Sequence, residues 1–188
     1  MVITPESPEE NEVEKILSLL GCGVSRVHFR HPGMSEKETM ALLEQIPQEF
    51  RHAITLHDYF NLAERYGCGI QINSRNNSIP NGVTTISQSC HSLDEAHRLF
   101  GIRDYVTLSP VFDSISKKGY PANCSLINDV KIADKQSLPP LIALGGITFE
   151  KLPALKEADF AGAAMLGAIW NTNFNESLNK IEALCYNS

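Results

Sequence analysis

The most constraining feature of this sequence is an alternation of short apolar runs with helix-like segments, repeated eight times along the chain. Hydrophobic periodicity predicts strands at residues 2–4, 26–30, 53–56, 69–72, 84–89, 105–108, 140–144 and 162–166. The intervening and final segments predict helices at residues 9–20, 37–45, 60–66, 93–99, 126–135, 149–156 and 175–185. Strands that alternate with helices pair in parallel through right-handed crossovers, so the chain is predicted to have an α/β fold.

The number of strand–helix units predicts a compact (β/α)8 TIM barrel, with an open doubly wound sheet as the alternative. The 188 residues leave about 23 for each unit, which is short for a barrel. The polar, turn-rich segment at residues 73–82 follows the fourth strand, so the fourth helix is predicted to be short or missing. Because no linker or low-complexity tract divides the chain, residues 1–188 are predicted to form a single domain.

Composition and charge exclude several classes of protein. The formal net charge of −6 argues against broad nucleic-acid binding, which needs a basic face. The longest apolar stretch, residues 161–170, is far shorter than the roughly 20 residues of a membrane span, and the first residues show no signal-peptide pattern. Five widely spaced cysteines without a CxxC pair indicate reduced thiols rather than a zinc site. We therefore expect a small cytoplasmic enzyme that binds neither nucleic acid nor a membrane, with a homo-oligomer left open.

Polar residues and glycines are concentrated directly after the predicted strands. In parallel α/β folds the ligand site lies beyond the carboxyl ends of the strands, so these residues are its candidates. They are Arg30, His31, His57, Asp58, residues 73–76, Ser89, His91, residues 109–119, Gly145, Gly146 and Gly167. This concentration predicts an active site at the carboxyl edge of the sheet.

Two glycine-containing junctions favour a phosphate site. Gly145 and Gly146 follow the seventh strand and Gly167 the eighth, where barrels commonly hold a phosphate on backbone N–H groups. Tight turns are the alternative explanation for each junction alone. The loop at residues 109–119 is either a solvated surface loop or a second phosphate-binding segment, whose donors are Ser114, Ser116, Lys117 and Lys118.

Six segments together resemble the thiamine phosphate synthase/TenI superfamily over nearly the whole chain. They are residues 27–32 (VHFRHP), 54–73, 87–96 (SQSCHSLDEA), 104–119, 143–147 (ALGGI) and 162–170 (GAAMLGAIW). The resemblance implies a (β/α)8 barrel. For the synthases it also implies a transferase reaction that joins a pyrimidine diphosphate to a thiazole phosphate and releases pyrophosphate with the assistance of Mg²⁺.

The resemblance also assigns roles position by position. Arg30 and Lys117 would contact the pyrophosphate, and Asp58 would be a Mg²⁺ ligand. Ser89 would lie near the pyrimidine. The thiazole phosphate would be held by Ser114, Ser116 and the backbone of Gly146. Gly145 and Gly167 are substrate-binding candidates from the glycine junctions, not from the resemblance.

This chain departs from the synthase pattern at five positions. His28 replaces a glutamine, Pro32 a lysine, His57 an asparagine, Asn76 the second metal-binding aspartate and Gly167 a serine. Loss of a lysine and an aspartate weakens the sites for pyrophosphate and Mg²⁺, and Asn76 retains only a carbonyl oxygen for the metal. His31 or His57, when protonated, is the predicted replacement donor.

The departures keep other functions open. A TenI-type thiazole tautomerase, an isomerase, needs one phosphate anchor and an acid/base but no metal. His91 is its candidate acid/base and His57 the second choice, because a histidine exchanges protons near neutral pH. A barrel that only binds a phosphorylated ligand or a partner protein, and another phosphate-binding barrel enzyme, are further alternatives.

Overall fold

Eight short parallel strands form the sheet in the part of the chain that the structure describes. The computed structural model describes residues 1–113 and 125–186. The strands are β1 (Val2–Ile3), β2 (Val27–Phe29), β3 (Ile54–Leu56), β4 (Gly69–Ile72), β5 (Ile86–Cys90), β6 (Tyr105–Leu108), β7 (Leu141–Ala143) and β8 (Gly162–Ala163). Their order in the sheet follows the chain. A doubly wound sheet reverses its strand order part-way, so this order confirms the (β/α)8 class and excludes the open-sheet alternative.

The chain divides into two units, Met1–Thr85 with Ile169–Ser188, and Ile86–Ala168. In the first unit β1 to β4 pair in parallel, and Val27 stands opposite both Val2 and Ile54. In the second unit β5 to β8 pair in the same way. The prediction of one domain over residues 1–188 stays a prediction.

Short helices connect the strands. The α-helices of the described residues are α1 (Glu12–Gly21), α2 (Glu36–Gln45), α3 (Gln48–Arg51), α4 (Asn61–Tyr66), α5 (Leu93–His97), α6 (Leu126–Ile132), α7 (Leu152–Glu157), α8 (Gly167–Trp170) and α9 (Phe174–Tyr186). One 3₁₀ turn of the described residues, Lys135–Ser137, follows α6, and another, Phe149–Lys151, directly precedes α7. Residues 73–85 lead from β4 to β5 without a helix, as predicted from their polar, turn-rich composition.

The strands are buried on both faces, as is typical of parallel sheets covered by helices. Every residue of β2, β3, β4, β6 and β7 is buried. From α1, Ile16 and Leu19 are completely buried and form its apolar face. The apolar runs that predicted the strands therefore form the core of each unit.

Local signals explain several helix boundaries. Ser92 accepts a hydrogen bond from the Glu95 N–H, but the Glu95 carboxylate accepts one from the His91 N–H, so a capping box at the start of α5 is formed only in part. A complete box, which the sequence analysis missed, begins α2 at Ser35 and Glu38. The predicted helix at residues 149–156 begins as a 3₁₀ turn. The α-helix α7 starts only at Leu152, so that Pro153 lies in its first turn, where a proline is tolerated.

Among the cysteines of the described residues, Cys68 and Cys90 are buried and Cys22 is partly exposed. Cys22, Cys68 and Cys90 form no disulfide, and burial raises the pKa of Cys68 to about 12 and that of Cys90 to about 11. The Cys124 position and the Cys185 side chain lie outside the described part. The helices of the described residues are too short or too polar to span a lipid bilayer.

Candidate active site

Polar side chains of the first unit lie at the carboxyl ends of β2, β3 and β4. Arg30 directly follows β2, and its backbone N–H donates to Thr4 Oγ1 at 2.8 Å. Its guanidinium is paired with Glu6 at 3.0 Å and is one-quarter exposed. The buried Thr4 therefore fixes the backbone from which the predicted pyrophosphate-binding Arg30 projects.

Asp58, the predicted metal ligand, is surrounded by donors. Asn76 Nδ2 donates to Asp58 Oδ1 at 2.7 Å. Arg75 Nη2 lies 3.4 Å from each of the two Asp58 carboxylate oxygens. The structure therefore brings the predicted pair Asp58 and Asn76 together, and it adds a guanidinium to which the sequence analysis assigned no role.

Asn73 holds the segment that carries this guanidinium. Its Oδ1 accepts hydrogen bonds from the N–H groups of Arg75 and Asn76, at 2.9 and 3.1 Å. Its Nδ2 donates to the His57 carbonyl at 2.9 Å. An Asx turn thus anchors the loop after β4 to the end of β3. An asparagine two residues before an arginine in a polar run is the only sequence signal for this arrangement.

His57, which directly precedes Asp58 in the chain, forms a buried pair with His28. His28 Nδ1 lies 2.9 Å from His57 Nε2, and the rings meet edge to face with centroids 5.2 Å apart. Burial, with the positive charges of Arg30 and Arg75, lowers the pKa of His57 to about 3. Burial and the neighbouring His57 also lower the pKa of His28 well below its usual value. The pair is neutral at neutral pH, so the expectation that a protonated His57 replaces the lost lysine is wrong.

We expect this histidine pair to make the fold sensitive to mild acid. Below pH 6.5 the two histidines bind protons in the unfolded chain but not in the folded protein. The stability that the neutral pair contributes is therefore fully present above pH 6.5 and is lost as the pH falls toward 3. Between pH 7 and 5 the free energy of unfolding should fall by about 2 kcal/mol from His57, with a further loss from His28. Urea denaturation at both pH values measures this loss. His57→Asn should make the loss smaller by about the His57 share, and an unchanged loss would contradict the assignment.

His31, the other predicted donor, points into the interior. Its Nε2 lies 3.0 Å from Glu12 Oε1, and both side chains are almost completely buried. Its ring also meets the Phe29 ring edge to face. His31 therefore pairs with α1, and its predicted role as a phosphate donor is not supported by this contact.

The donor set at Asp58 does not fit a protein-held Mg²⁺. Mg²⁺ takes anionic oxygen ligands in near-octahedral geometry. Here one carboxylate is already paired with Arg75, and the neighbouring Asn76 directs its amide N–H₂, not its oxygen, at Asp58. Within residues 1–113 and 125–186, no group of three His, Cys, Asp or Glu side chains is placed to hold a metal. The predicted site on Asp58 and Asn76 is thus occupied by a guanidinium and an amide.

His91 and Ser89 lie at the carboxyl end of β5 in the second unit. His91 is exposed, and its Nδ1 lies 2.9 Å from the Ser109 carbonyl. The carbonyl accepts, so Nδ1 carries the proton and a neutral ring has its lone pair on Nε2. Thr107 donates to Ser89 at 3.3 Å. A neutral His91 held in this way has the right form for a general base, and its predicted role stays a prediction.

The glycine pair after β7 accommodates a neighbouring backbone. Gly145 and Gly146 have φ values of +97° and +61°. A Cβ at Gly146 would lie 2.1 Å from the Asp113 carbonyl oxygen, and one at Gly145 would lie 2.9 Å from Pro110 Cα. Close packing against residues 110–113 therefore requires both glycines, whether or not a phosphate binds.

Lys151 adds a cation to this segment that the sequence analysis did not single out. Its Nζ donates to the Gly146 carbonyl at 2.6 Å and lies 4.5 Å from the centre of the Phe112 ring. Gly167, the other predicted phosphate position, begins the four-residue helix α8. The predicted Ser114, Ser116, Lys117 and Lys118 lie outside the described residues.

Comparison with known proteins assigns the family. The family model described as thiamine monophosphate synthase (TMP-TENI) matches residues 1–169. The chain belongs to the thiamine monophosphate synthase family. This confirms the resemblance that the sequence motifs indicated. The thiamine-phosphate synthases are transferases, and the match does not favour the tautomerase alternative.

The chain is similar to proteins named thiamine-phosphate synthase or thiamine phosphate pyrophosphorylase. A thiamine-phosphate synthase of Staphylococcus haemolyticus is 23% identical over 96% of this chain and 92% of that protein. One of Anoxybacillus flavithermus is 35% identical, over only 47% of this chain and 41% of that protein. The crystal structure of a thiamine phosphate pyrophosphorylase from Bacteroides thetaiotaomicron has a TM-score of 0.79 and 29% identity, covering 98% of this chain and 94% of that one.

Proposed function

We propose that this protein is a thiamine-phosphate synthase. It would join a hydroxymethylpyrimidine diphosphate to a thiazole phosphate and release pyrophosphate. A bond forms between the pyrimidine methylene carbon and the thiazole nitrogen. The bond from that carbon to the diphosphate oxygen breaks, and its electron pair leaves with the pyrophosphate.

The observation that carries this proposal is the position of Arg30 at the carboxyl end of β2. Negative charge develops on the diphosphate as it departs, and a preorganised cation stabilises that charge. Arg30 has the required charge, and its backbone is fixed by Thr4. In an acidic chain, a guanidinium at this edge of the sheet is typical of a binding site for an anion.

The thiazole phosphate would be bound by the second-unit residues that the sequence indicated. The backbone of Gly146, Ser114 and Ser116 would hold the phosphate, and Lys117 would contact the departing pyrophosphate. Lys151, close to Gly146, is a further cation for the phosphate. His91 is available as an acid/base group, but the synthase reaction itself requires no proton transfer from it.

The activity is tested with the purified protein and both substrates. We expect thiamine phosphate and pyrophosphate in equal amounts, measured by chromatography with and without Mg²⁺, because synthases of this family generally use that ion. Arg30→Ala should lower kcat/KM by about 100-fold, the usual cost of removing one donor to a developing anion. Arg98→Ala is the matched control, since Arg98 is exposed at the end of α5. Absence of product under all conditions, or equal losses in the two variants, would contradict the proposal.

A further inference from the structure

We propose that Arg75 and Arg30 form a metal-independent binding site for a diphosphate group, in which the Arg75 guanidinium takes the place of a divalent cation. The inference deepens the proposed synthase function, on which the identity of the natural ligand rests. It assigns a binding role to Arg75 and removes the need for a metal ion on Asp58.

A turn at Asn73 places Arg75 against Asp58. Asn73 fixes the backbone of Arg75 at the carboxyl end of β4, and the Arg75 guanidinium reaches Asp58 at the end of β3. A cation on Asp58 would therefore have to displace the guanidinium. Positive charge is already supplied at this point by the chain itself.

The two guanidiniums act on the same part of the first unit. Arg30 directly follows β2, and Arg75 lies three residues after the end of β4, where its guanidinium contacts Asp58. They project from the ends of β2 and β4, on either side of β3. A diphosphate has two phosphoryl groups, so it can contact one guanidinium with each of them.

The chemistry of arginine suits this role. A guanidinium stays protonated and binds phosphate oxygens through two parallel N–H groups. Arg75 is about half exposed, at 54%, and its 3.4 Å contacts with Asp58 are long for charge-assisted hydrogen bonds. Such an exposed pair contributes little stability, so exchanging the carboxylate for a diphosphate costs little. Asn76 remains as a donor to Asp58 when Arg75 turns to the ligand.

The test is calorimetric titration with inorganic pyrophosphate in the presence of EDTA. We expect the wild-type protein to bind without metal. Arg75→Ala should weaken binding by about tenfold or more, and Arg75→Lys, which keeps the charge but not the paired N–H groups, should lie between them. Asp58→Asn should leave binding unchanged or tighter, because it removes an anion that competes for Arg75. Arg98→Ala is the control for general charge and should bind like the wild type.

The opposite pattern would overturn the inference. If pyrophosphate binds only when Mg²⁺ is added, and Asp58→Asn abolishes that binding, Asp58 is a metal ligand and Arg75 does not replace the ion. The synthase function would stand in that case, because the substrate assay is independent of this titration. If the assay instead yields no thiamine phosphate while Arg75-dependent binding persists in EDTA, the site stands and the synthase proposal fails. Thermal denaturation of each variant verifies that it is folded.

Discussion

Gly146→Ala is expected to lower the free energy of unfolding by about 3 kcal/mol, whereas Gly67→Ala lowers it by about 1 kcal/mol. Both glycines have positive φ, +61° and +70°, so both substitutions pay the left-handed backbone cost of a residue with a Cβ. They differ in their surroundings. A Cβ at Gly146 meets the Asp113 carbonyl at 2.1 Å, and at Gly67 it meets nothing within 4 Å.

Urea denaturation of the two variants separates the steric cost from the backbone cost. The rigid atom is a backbone oxygen, so Gly146→Ala must displace residues 112 and 113 rather than a flexible side-chain end. Gly67 ends α4 in the left-handed conformation and is the matched control. Equal losses of stability would show that Asp113 moves away without cost, and the packing role of Gly146 would then be wrong.

His31→Leu is expected to destabilise the first unit by about 3 kcal/mol or more. The side chains of His31 and Glu12 are 4% and 2% exposed, and they approach to 3.0 Å. Without the imidazole, the buried Glu12 Oε1 loses its ion-pair contact and has no hydrogen-bond partner among the described residues. The Glu9 N–H continues to donate to Oε2. Removing one partner of a buried polar pair costs far more than the pair contributes.

The double variant His31→Leu with Glu12→Leu isolates this cause. Replacing both partners with apolar groups removes the stranded carboxylate, so the double variant should be more stable than His31→Leu alone. Chemical denaturation gives the free energies of unfolding of the wild type, both single variants and the double variant, which together form a double-mutant cycle. If the two losses simply add, the contact between His31 and Glu12 carries no coupling and the interpretation fails.

The fold follows closely from local patterns in the sequence. The bounds of β4 and β6 agree with the prediction, because each is a four-residue buried run next to turn residues or charges. The predicted strand at residues 162–166 pairs only over Gly162–Ala163. Helices α3 and α8, of four residues each, were missed since they are too short to show a helical period.

The candidate site was predicted from the sequence less completely than the fold. Arg30, Asp58 and Asn76 were predicted, because residues directly after parallel strands lie at the ligand-binding edge whatever the details of packing. Arg75 received no role, since one arginine in a polar run has no periodic signal. Only the Asn73 turn directs it to Asp58.

The sequence alone determined the parallel eight-stranded class, the absence of a helix between β4 and β5, the family, and the strand ends at which the candidate residues lie. These properties depend on periodicity and order along the chain, which are local. Only the tertiary structure decided that His57 is buried against His28, that His31 faces Glu12, and that Asp58 is paired with a guanidinium. Charge state and partner depend on burial and on distances between residues far apart in the chain, so no local pattern specifies them.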